Sequence, residues 1–327
     1  MRKRVFSGAR PTGRQHLGNY LGAIRNYVKL QDEYDCVYCI VDLHALTTFE
    51  DTGKLKENVR EMMLDWLAAG LDPERSILFV QSHVPEVTEL FTLFGMLTPL
   101  SWLLRVPAFK EKARHQPHNV NYGLVGYPVL MTADVSLYKA EVIPVGEDQV
   151  PHLELAREIV RRFNAQFGPV FPEPTPKLTE YPLVVGLDGA LKMSKSYNNQ
   201  IDICATVEET ERRVSTAVTD PARRYRNDPG HPEVCNVYSL HRHFSGPKLE
   251  EIAGQCRGAH IGCVECKRLL AKGINEALAP FREKRAELAT RPGLVEEVIA
   301  GGAYRARAIA RETILEVKDK MGLPILK

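Results

Sequence analysis

Along the first half of the chain, apolar and polar positions switch repeatedly between two rhythms. "MRKRVFSGA", residues 1–9, centres on Val5 and Phe6 and runs into a Gly/Pro turn, as a short buried strand does. From Gly18 onward Tyr20, Leu21, Ile24, Tyr27, Val28 and Leu30 recur at helical spacing. "CVYCIVDLHAL" is then a near-continuous apolar run of strand length, and "KLKENVREMMLDWLAAGLDP" a helix stopped by Gly70 and Pro73. "SILFVQS" and "EVIPVGEDQ" read as further strands, and "DQVPHLELAREIVRRFNAQFG" as a helix with Gly168 just past its end. Residues 168–182 are Pro-rich and read as a linker or crossing. After about residue 205 the strand rhythm vanishes, and helical patterns at 207–217, 262–289 and 293–321 suggest a bundle. No internal repeat or low-complexity tract interrupts this order.

Strands alternating with helices imply a parallel sheet joined by crossover helices, with ligands outside the carboxyl ends of the strands. The expected fold is α/β: a Rossmann-type catalytic domain over 1–202, with a helical insertion at about 84–138, followed by a helical domain over 203–327. The chain has 327 residues, a formal charge of +2 and 44% hydrophobic residues, which suits one large or two moderate globular domains. Near-neutral charge excludes a polybasic nucleic-acid tail but not a local basic face. No apolar run approaches the roughly 20 residues of a membrane-spanning helix. The basic start has no apolar core behind it, so it does not read as a signal peptide. A cytoplasmic setting is expected. The seven cysteines are then read as free thiols, catalytic groups or metal ligands rather than disulfides.

"ARPTGRQHLGNYLGAI", residues 9–24, places a glycine-bearing turn between a strand and a helix start. Such a turn brings a phosphate close to unpaired backbone N–H groups. Gly13 and Gly18 allow close approach, and His16 and Asn19 add side-chain donors; His16 can serve a phosphate oxygen that gains charge in a transition state. An ordinary strand–helix connection with a packing histidine fits this stretch equally well. Far downstream, "LKMSKS", residues 191–196, follows the turn "GLDG". Lys192 and Lys195 can meet a polyphosphate, and Ser194 and Ser196 can donate to it. Alone this is a solvated loop; paired with the His–Leu–Gly–Asn turn it is hard to obtain by chance.

The two segments together carry a resemblance. "PTGRQHLGN" resembles the first signature of class I aminoacyl-tRNA synthetases, in a variant ending in Asn where others have a second His, and "KMSKS" matches the second signature letter for letter. "IVDLHALTT", "YPVLMTADVSLYKAEVIPVGEDQ" and "AVTDPAR" resemble segments of the bacterial tryptophanyl-tRNA synthetases, in the same order, from Phe6 to near the C-terminus. The resemblance implies ATP-dependent activation of L-tryptophan and transfer to tRNA(Trp), with Mg2+, in a homodimer. It implies His16, Asn19, Lys192 and Lys195 as catalytic residues. It implies ATP contacts from Arg10, Pro11, Thr12, Gly18, Asn19, Lys112, Gly146, Glu147, Asp148, Leu183, Lys192, Met193, Ser194, Lys195 and Ser196. Arg10 stands where some relatives carry Gln. Glu147 or Asp148 could equally cap a helix, and Lys112 sits in a charge run that could be plain solvated surface.

Tyr127, Met131, Asp134 and Tyr138 fall at spacings that share one helix face. A carboxylate inside an aromatic and thioether stripe is costly to bury without a partner. An indole N–H is a donor without acceptor function, so Asp134 suits it, with Met131 and Tyr127 packing the ring. The alternative pairs Asp134 with Lys139 or with solvent. The resemblance favours the indole-reading role and adds Phe6 and Gln149 to the tryptophan pocket. The apolar "LFTLFGMLTPLSWLL" within 84–130 is long for a surface and fits a dimer interface.

Cys235, Cys256, Cys263 and Cys266 give the spacing C-x20-C-x6-C-x2-C. Four thiolates suit zinc or an iron–sulfur cluster, and the spacing alone favours Zn2+. "IGCVECKRLL" resembles a subset of tryptophanyl-tRNA synthetases with a [4Fe–4S] cluster near the anticodon-recognition region, which makes the cluster the expected metal group. Cys36 and Cys39 lie in an apolar strand and read as core. Three other functions share parts of this pattern. Tyrosyl-tRNA synthetase is opposed by "MTADVSLY" and "GEDQ". A paralogue turned regulator is opposed by the intact "KMSKS". A nucleotidyltransferase with the same paired signatures would lack the indole-reading helix.

Overall fold

Residues Arg4–Ala9 (β1), Asp35–Ile40 (β2), Ser76–Val80 (β3), Val142–Val145 (β4) and Thr175–Leu178 (β5) form one parallel sheet in the order β3-β2-β1-β4-β5. The computed structural model describes all residues except 1, 49–50, 107–108, 111–112, 115, 179–183 and 326–327, and the side chain of Asp148. Lys112 and Leu183, expected at ATP, lie outside the described residues. Strands β2 and β3 are buried almost throughout, which is why they read as unbroken apolar runs rather than alternating ones. The strand order reverses between β1 and β4, so the ends at Ala9 and Val145 flank the point where such sheets bind ligands.

The chain divides into two compact units: residues 1–13, 26–182 and 291–327, and residues 14–25 and 183–290. The first contains the sheet. Its core gathers Phe6, Val37, Phe79, Ala133, Tyr138 and Phe163 with Ala306 and Ala310 of the C-terminal helix. That helix, Leu294–Met321, was expected in the 203–327 bundle; it packs on β3 instead. Gly302 permits the approach, since a Cβ there would lie 1.7 Å from the Leu78 carbonyl oxygen. Glu86, at the start of the helix Glu86–Leu97, accepts from Arg307 at 3.1 Å and Arg311 at 3.2 Å and fixes the helix against its neighbour. The second unit contains the helices Val207–Ser215, Asn236–Phe244, Leu249–Arg257 and Cys263–Ala289. Thr206 and Glu209 close a reciprocal cap at the first of these, with bonds of 3.0 and 3.1 Å.

Three local expectations need correction. The Pro-rich stretch 168–182 contains β5, an edge strand whose Pro176 is tolerated because an edge leaves one side of the backbone unpaired. The run "CVYCIVDLHAL" is not one strand: β2 ends at Ile40, and Asp42–Ala45 form a helical turn. Asp42 Oδ1 produces that switch by accepting from the N–H groups of Leu43 and Ser82, both at 3.0 Å. The helix expected from Gly18 begins with Leu17–Asn19, widens into a π-turn over Tyr20–Ile24 and resumes as Arg25–Leu30.

Gly302→Ala tests the packing of helix on strand. The added methyl group has backbone on its far side and cannot be relieved by a rotamer change. The variant should unfold at lower temperature, destabilised by at least about 1–3 kcal/mol, as overpacked sites are. Unchanged thermal unfolding would mean that the helix does not lie on β3.

Candidate active site

In the first unit, the segments just past β2 and β3 bring His44 and Gln81 to a buried carboxylate. Asp134 lies on the helix Tyr122–Leu137, which Asn121 caps by accepting from Leu124 N at 2.9 Å. The Asp134 side chain is almost wholly buried, at 2% exposure, and it is not paired with Lys139, which binds Glu316 at 2.5 Å. Instead Gln81 Nε2 donates to both carboxylate oxygens at 2.8 Å, and His44 Nε2 lies 2.9 Å from Oδ2. The Gln81 oxygen accepts from His44 N at 3.3 Å, which fixes which end of the amide faces the carboxylate. Neither Gln81 nor His44 stood out in the sequence as a site residue. His44 sits in "DLHAL" just past β2, and Gln81 just past β3; position after a parallel strand was the available signal.

The other expected pocket residues divide. Phe6 is buried and stacks on Tyr138, with ring centroids 5.5 Å apart and planes 8° from parallel. Tyr138 also meets the edge of Phe79 at 5.4 Å, so it is part of the core below Asp134. Met131 is half-buried. The Tyr127 hydroxyl is 2.6 Å from His152 Nε2, on the helix Val150–Phe167. Gln149 is half-buried at the N-cap of that helix. Gly146 and Glu147 form the turn that follows β4, and Glu147 is exposed there. Beyond β1, Pro11 is buried and Thr12 exposed. Arg10 donates to the Thr48 hydroxyl, while its Nε is buried without a hydrogen-bond partner.

In the second unit the first signature segment meets the extended stretch 201–203, just past the lysine loop, through backbone hydrogen bonds. His16 pairs antiparallel with Asp202; Leu17 N donates to Ile201 O at 2.9 Å, and Ile203 N to Gln15 O at 3.1 Å. His16 is held against Gly18, where a Cβ would lie 3.0 Å from the imidazole and 3.4 Å from Met193 Cβ. A residue without a side chain at 18 lets the histidine turn pack closely on Met193, itself 1% exposed and buried beneath the lysine loop. Asn19 differs from expectation in part: its Oδ1 accepts from His16 N at 3.2 Å and closes the turn, which leaves its amide nitrogen for a ligand.

The lysine loop is shaped by a residue the sequence did not single out. Asn199 is buried; it accepts from Ser194 N at 2.7 Å and donates to Asp188 Oδ2 at 2.7 Å and Lys192 O at 3.3 Å. Asp188 in turn accepts from the N–H groups of Ala190 and Leu191 at 3.0 and 3.1 Å. Ser194 Oγ accepts from Ser196 N at 3.2 Å, so that hydroxyl caps the turn Lys195–Tyr197. Lys192 and Ser196 are exposed and Lys195 half-buried. Burial, then Lys195 and Lys192, push the His16 imidazole down to about 4. It is therefore neutral at neutral pH, and its buried Nδ1 has no hydrogen-bond partner. A neutral imidazole beside two cations is a hydrogen-bond donor with no repulsion to overcome, suited to a polyphosphate.

The four cysteines of the second unit share one neighbourhood. The Cys266 thiol is pushed up to about 12 by burial and by Cys235, Cys256 and Cys263. Cys266 Sγ is 3.3 Å from His241 Nε2, and Arg223 donates to Cys256 Sγ at 3.7 Å. Among the described residues no three His, Cys, Asp or Glu side chains stand in a metal-binding arrangement. The donors are thus of the right kind and close together, without forming a coordination shell.

The His16 environment predicts a pH effect. Its folded value lies below the ~6.5 of an unfolded histidine, so the contribution to stability is present above about pH 6.5 and is lost as pH falls towards 4. Unfolding temperatures measured across pH 7 to 4 should fall more steeply for the native chain than for His16→Gln. Parallel curves would place His16 in solvent.

Residues 1–279 match the family described as "tRNA synthetases class I (W and Y)". The chain is 46% identical to the tryptophan–tRNA ligase of Thermotoga maritima, over 98% of this chain and 99% of that protein. It is 42% identical to that of Aquifex aeolicus, over 98% and 100%. Among solved structures it is similar to the tryptophanyl-tRNA synthetase of Campylobacter jejuni complexed with ADP and tryptophan, with a TM-score of 0.88 and 35% identity over 98% of this chain and all of that one. A tyrosyl-tRNA synthetase from Archaeoglobus fulgidus, at 21% identity and a TM-score of 0.69, shares the fold alone. The chain belongs to the class I tRNA synthetases for tryptophan and tyrosine, and its activity is that of a tryptophan–tRNA ligase.

Proposed function

We propose that Asp134 reads the indole N–H of tryptophan, and that Gln81 and His44 position it. The buried carboxylate with two protein donors on it carries this reading. Those donors hold the charge in place and leave acceptor capacity for one more N–H, the single polar group an indole ring carries. Phe6, Met131, Tyr127 and Gln149 complete the tryptophan pocket. ATP is the second substrate, and the resemblance to the synthetases assigns to it Arg10, Pro11, Thr12, Gly18, Gly146, Glu147, Asp148, Met193, Ser194 and Ser196. His16, Asn19, Lys192 and Lys195 act on its phosphates as charge builds during attack of the tryptophan carboxylate on the α-phosphorus. Pyrophosphate leaves with Mg2+, and the aminoacyl group then passes to a hydroxyl of the terminal adenosine of tRNA(Trp). No protein nucleophile is needed; positioning and charge stabilisation suffice.

Three finer features belong to the same reading. The helical part of the second unit serves anticodon recognition, in a cytoplasmic protein whose seven cysteines form no disulfide among the described residues. The protein is a homodimer. Met96, Leu100 and Tyr122 support this, being 78%, 60% and 73% exposed near one another in sequence on the insertion. Cys235, Cys256, Cys263 and Cys266 hold a [4Fe–4S] cluster, supported by four soft thiolates within one neighbourhood. Such a group would fix the segments around 235 and 256–266 and take no part in activation.

Asp134→Ala should lower kcat/KM for tryptophan in pyrophosphate exchange by about 5- to 150-fold, the worth of about 1–3 kcal/mol for an unpaired buried group. KM for ATP should stay within about twofold, because the side chain meets no phosphate. Equal losses for both substrates would remove Asp134 from the indole. Sedimentation at micromolar concentration should give twice the chain mass; a single chain mass contradicts the dimer. Protein purified without oxygen should be brown, with equal iron and sulfide, and Cys263→Ser should lose the colour. Colourless protein carrying one zinc, or no metal, contradicts the cluster.

A further inference from the structure

The turn "GLDG", residues 186–189, lies at the root of the lysine loop. Gly186 N donates to Leu191 O and Met193 N to Val184 O, both at 2.8 Å, and Val185 pairs antiparallel with Lys192, so a short hairpin leads into the loop. Leu187 N donates to Asn199 O at 2.8 Å, where the loop ends. Gly186 and Leu187 therefore hold both ends of it. Two groups from outside the loop reach this pair. Val218 N, in "AVTDPAR", donates to Leu187 O at 2.8 Å. Asn236 Nδ2, from the first turn of the helix Asn236–Phe244, donates to Gly186 O at 2.7 Å. The Asn236 side chain is buried, and its Oδ1 accepts from the Ser239 hydroxyl at 3.3 Å, which fixes which end of the amide faces Gly186. Gly189 has a φ of +72°, and a Cβ there would lie 3.5 Å from the Cβ atoms of both Asn236 and Val218, so the turn lies directly on these two residues.

We propose that Asn236 is a positioning residue for adenylate formation: it anchors the root of the lysine loop and thereby sets where Lys192 and Lys195 stand. The proposal rests on the reading that these lysines meet the phosphates of ATP. The loop has little burial of its own; from Asp188 to Asn199 only Met193 and Asn199 are buried. A segment so exposed opens at low free-energy cost, and the bonds at its root then decide where it rests. The Asn236 bond acts at short range. The residue whose carbonyl it holds, Gly186, donates to Leu191, which immediately precedes Lys192. The next residue, Leu187, fixes Asn199, and Asn199 in turn holds Ser194 N and Lys192 O. Gly186 is thus pressed between two asparagines: Asn236 on its carbonyl, and Asn199, whose Nδ2 a Cβ on Gly186 would meet at 2.1 Å. A residue that served only to pack the helix would do so with an apolar side chain. Burying an amide is costly unless its donor is used, and this donor is used on the loop. Groups that meet phosphate contribute only when their place is set before the substrate arrives, which is what the anchor supplies.

Asn236→Leu keeps the branched shape of the side chain and removes the donor. It should lower kcat of tryptophan-dependent pyrophosphate exchange by about 10- to 100-fold, the scale of a misplacement of about an ångström. KM for tryptophan should stay within about twofold, because the loop meets phosphates and not the amino acid. In a Lys195→Ala background the same change should cost less than about threefold more, since one of the groups it places is gone. Without ATP, trypsin should nick Asn236→Leu after Lys192 or Lys195 at least about threefold faster than the native chain, as a loosened loop requires. Asn236→Gln keeps an amide on a longer stem and should show the same pattern with a smaller loss, which keeps the test open if the Leu variant does not fold. Equal factors in the native and Lys195→Ala backgrounds would overturn the proposal. So would an unchanged kcat, or a matching loss in KM for tryptophan, in both Asn236 variants. If Lys195→Ala itself leaves exchange unchanged while Asn236→Leu lowers it, the phosphate reading of the loop fails, and the proposal with it.

Discussion

The phosphate-directed chemistry proposed for this chain rests on a backbone pairing only three residues long. His16 lies beside Asp202, flanked by hydrogen bonds from Leu17 to Ile201 and from Ile203 to Gln15. That pairing joins a turn near the N-terminus to the extended segment that leaves the lysine loop far downstream. It gives His16 its burial and sets it within the field of Lys192 and Lys195, which keeps the imidazole neutral. Gly18 and Met193 complete the joint, one by having no side chain and the other by filling the space. Catalysis by positioning requires such a joint, because the groups that meet phosphate contribute only if their separation is set before the substrate arrives.

The site proposed for the indole follows a different logic. There the problem is a carboxylate buried among rings, and the solution is to satisfy it incompletely. Gln81 and His44 each give it a hydrogen bond, so the charge is tolerable, while an acceptor position stays open. Both partners sit at carboxyl ends of neighbouring parallel strands, which is where this fold collects ligand-facing groups. Specificity for an N–H donor then follows directly, since a ring without that donor leaves the acceptor unpaired.

Much of this was legible along the chain. The alternation of strand and helix rhythms pointed to the parallel sheet, and the glycine turn and lysine loop stood out as the two segments proposed to meet phosphate. What the sequence hid was non-local. Asn199 shapes the lysine loop, yet as a polar residue in a turn it carries no periodic signal. The helix Leu294–Met321 has the same apolar rhythm whichever unit it covers, and only Gly302 against Leu78 marks its destination. β5 escaped notice because an edge strand with a proline and exposed side chains has no buried face to betray it. The cysteines were visible by spacing, but spacing cannot say whether four thiols close into a shell.

The central claim is that a buried, partly satisfied carboxylate makes this chain select tryptophan. Amino-acid-dependent pyrophosphate exchange by the native protein, measured with tryptophan and with tyrosine at equal concentration, tests it most directly. Exchange should be strong with tryptophan and lower by about 10⁴-fold or more with tyrosine, the scale on which hydrogen-bond readers reject a ligand lacking the matched group. Exchange stimulated equally by tyrosine, or by tyrosine alone, would contradict the account.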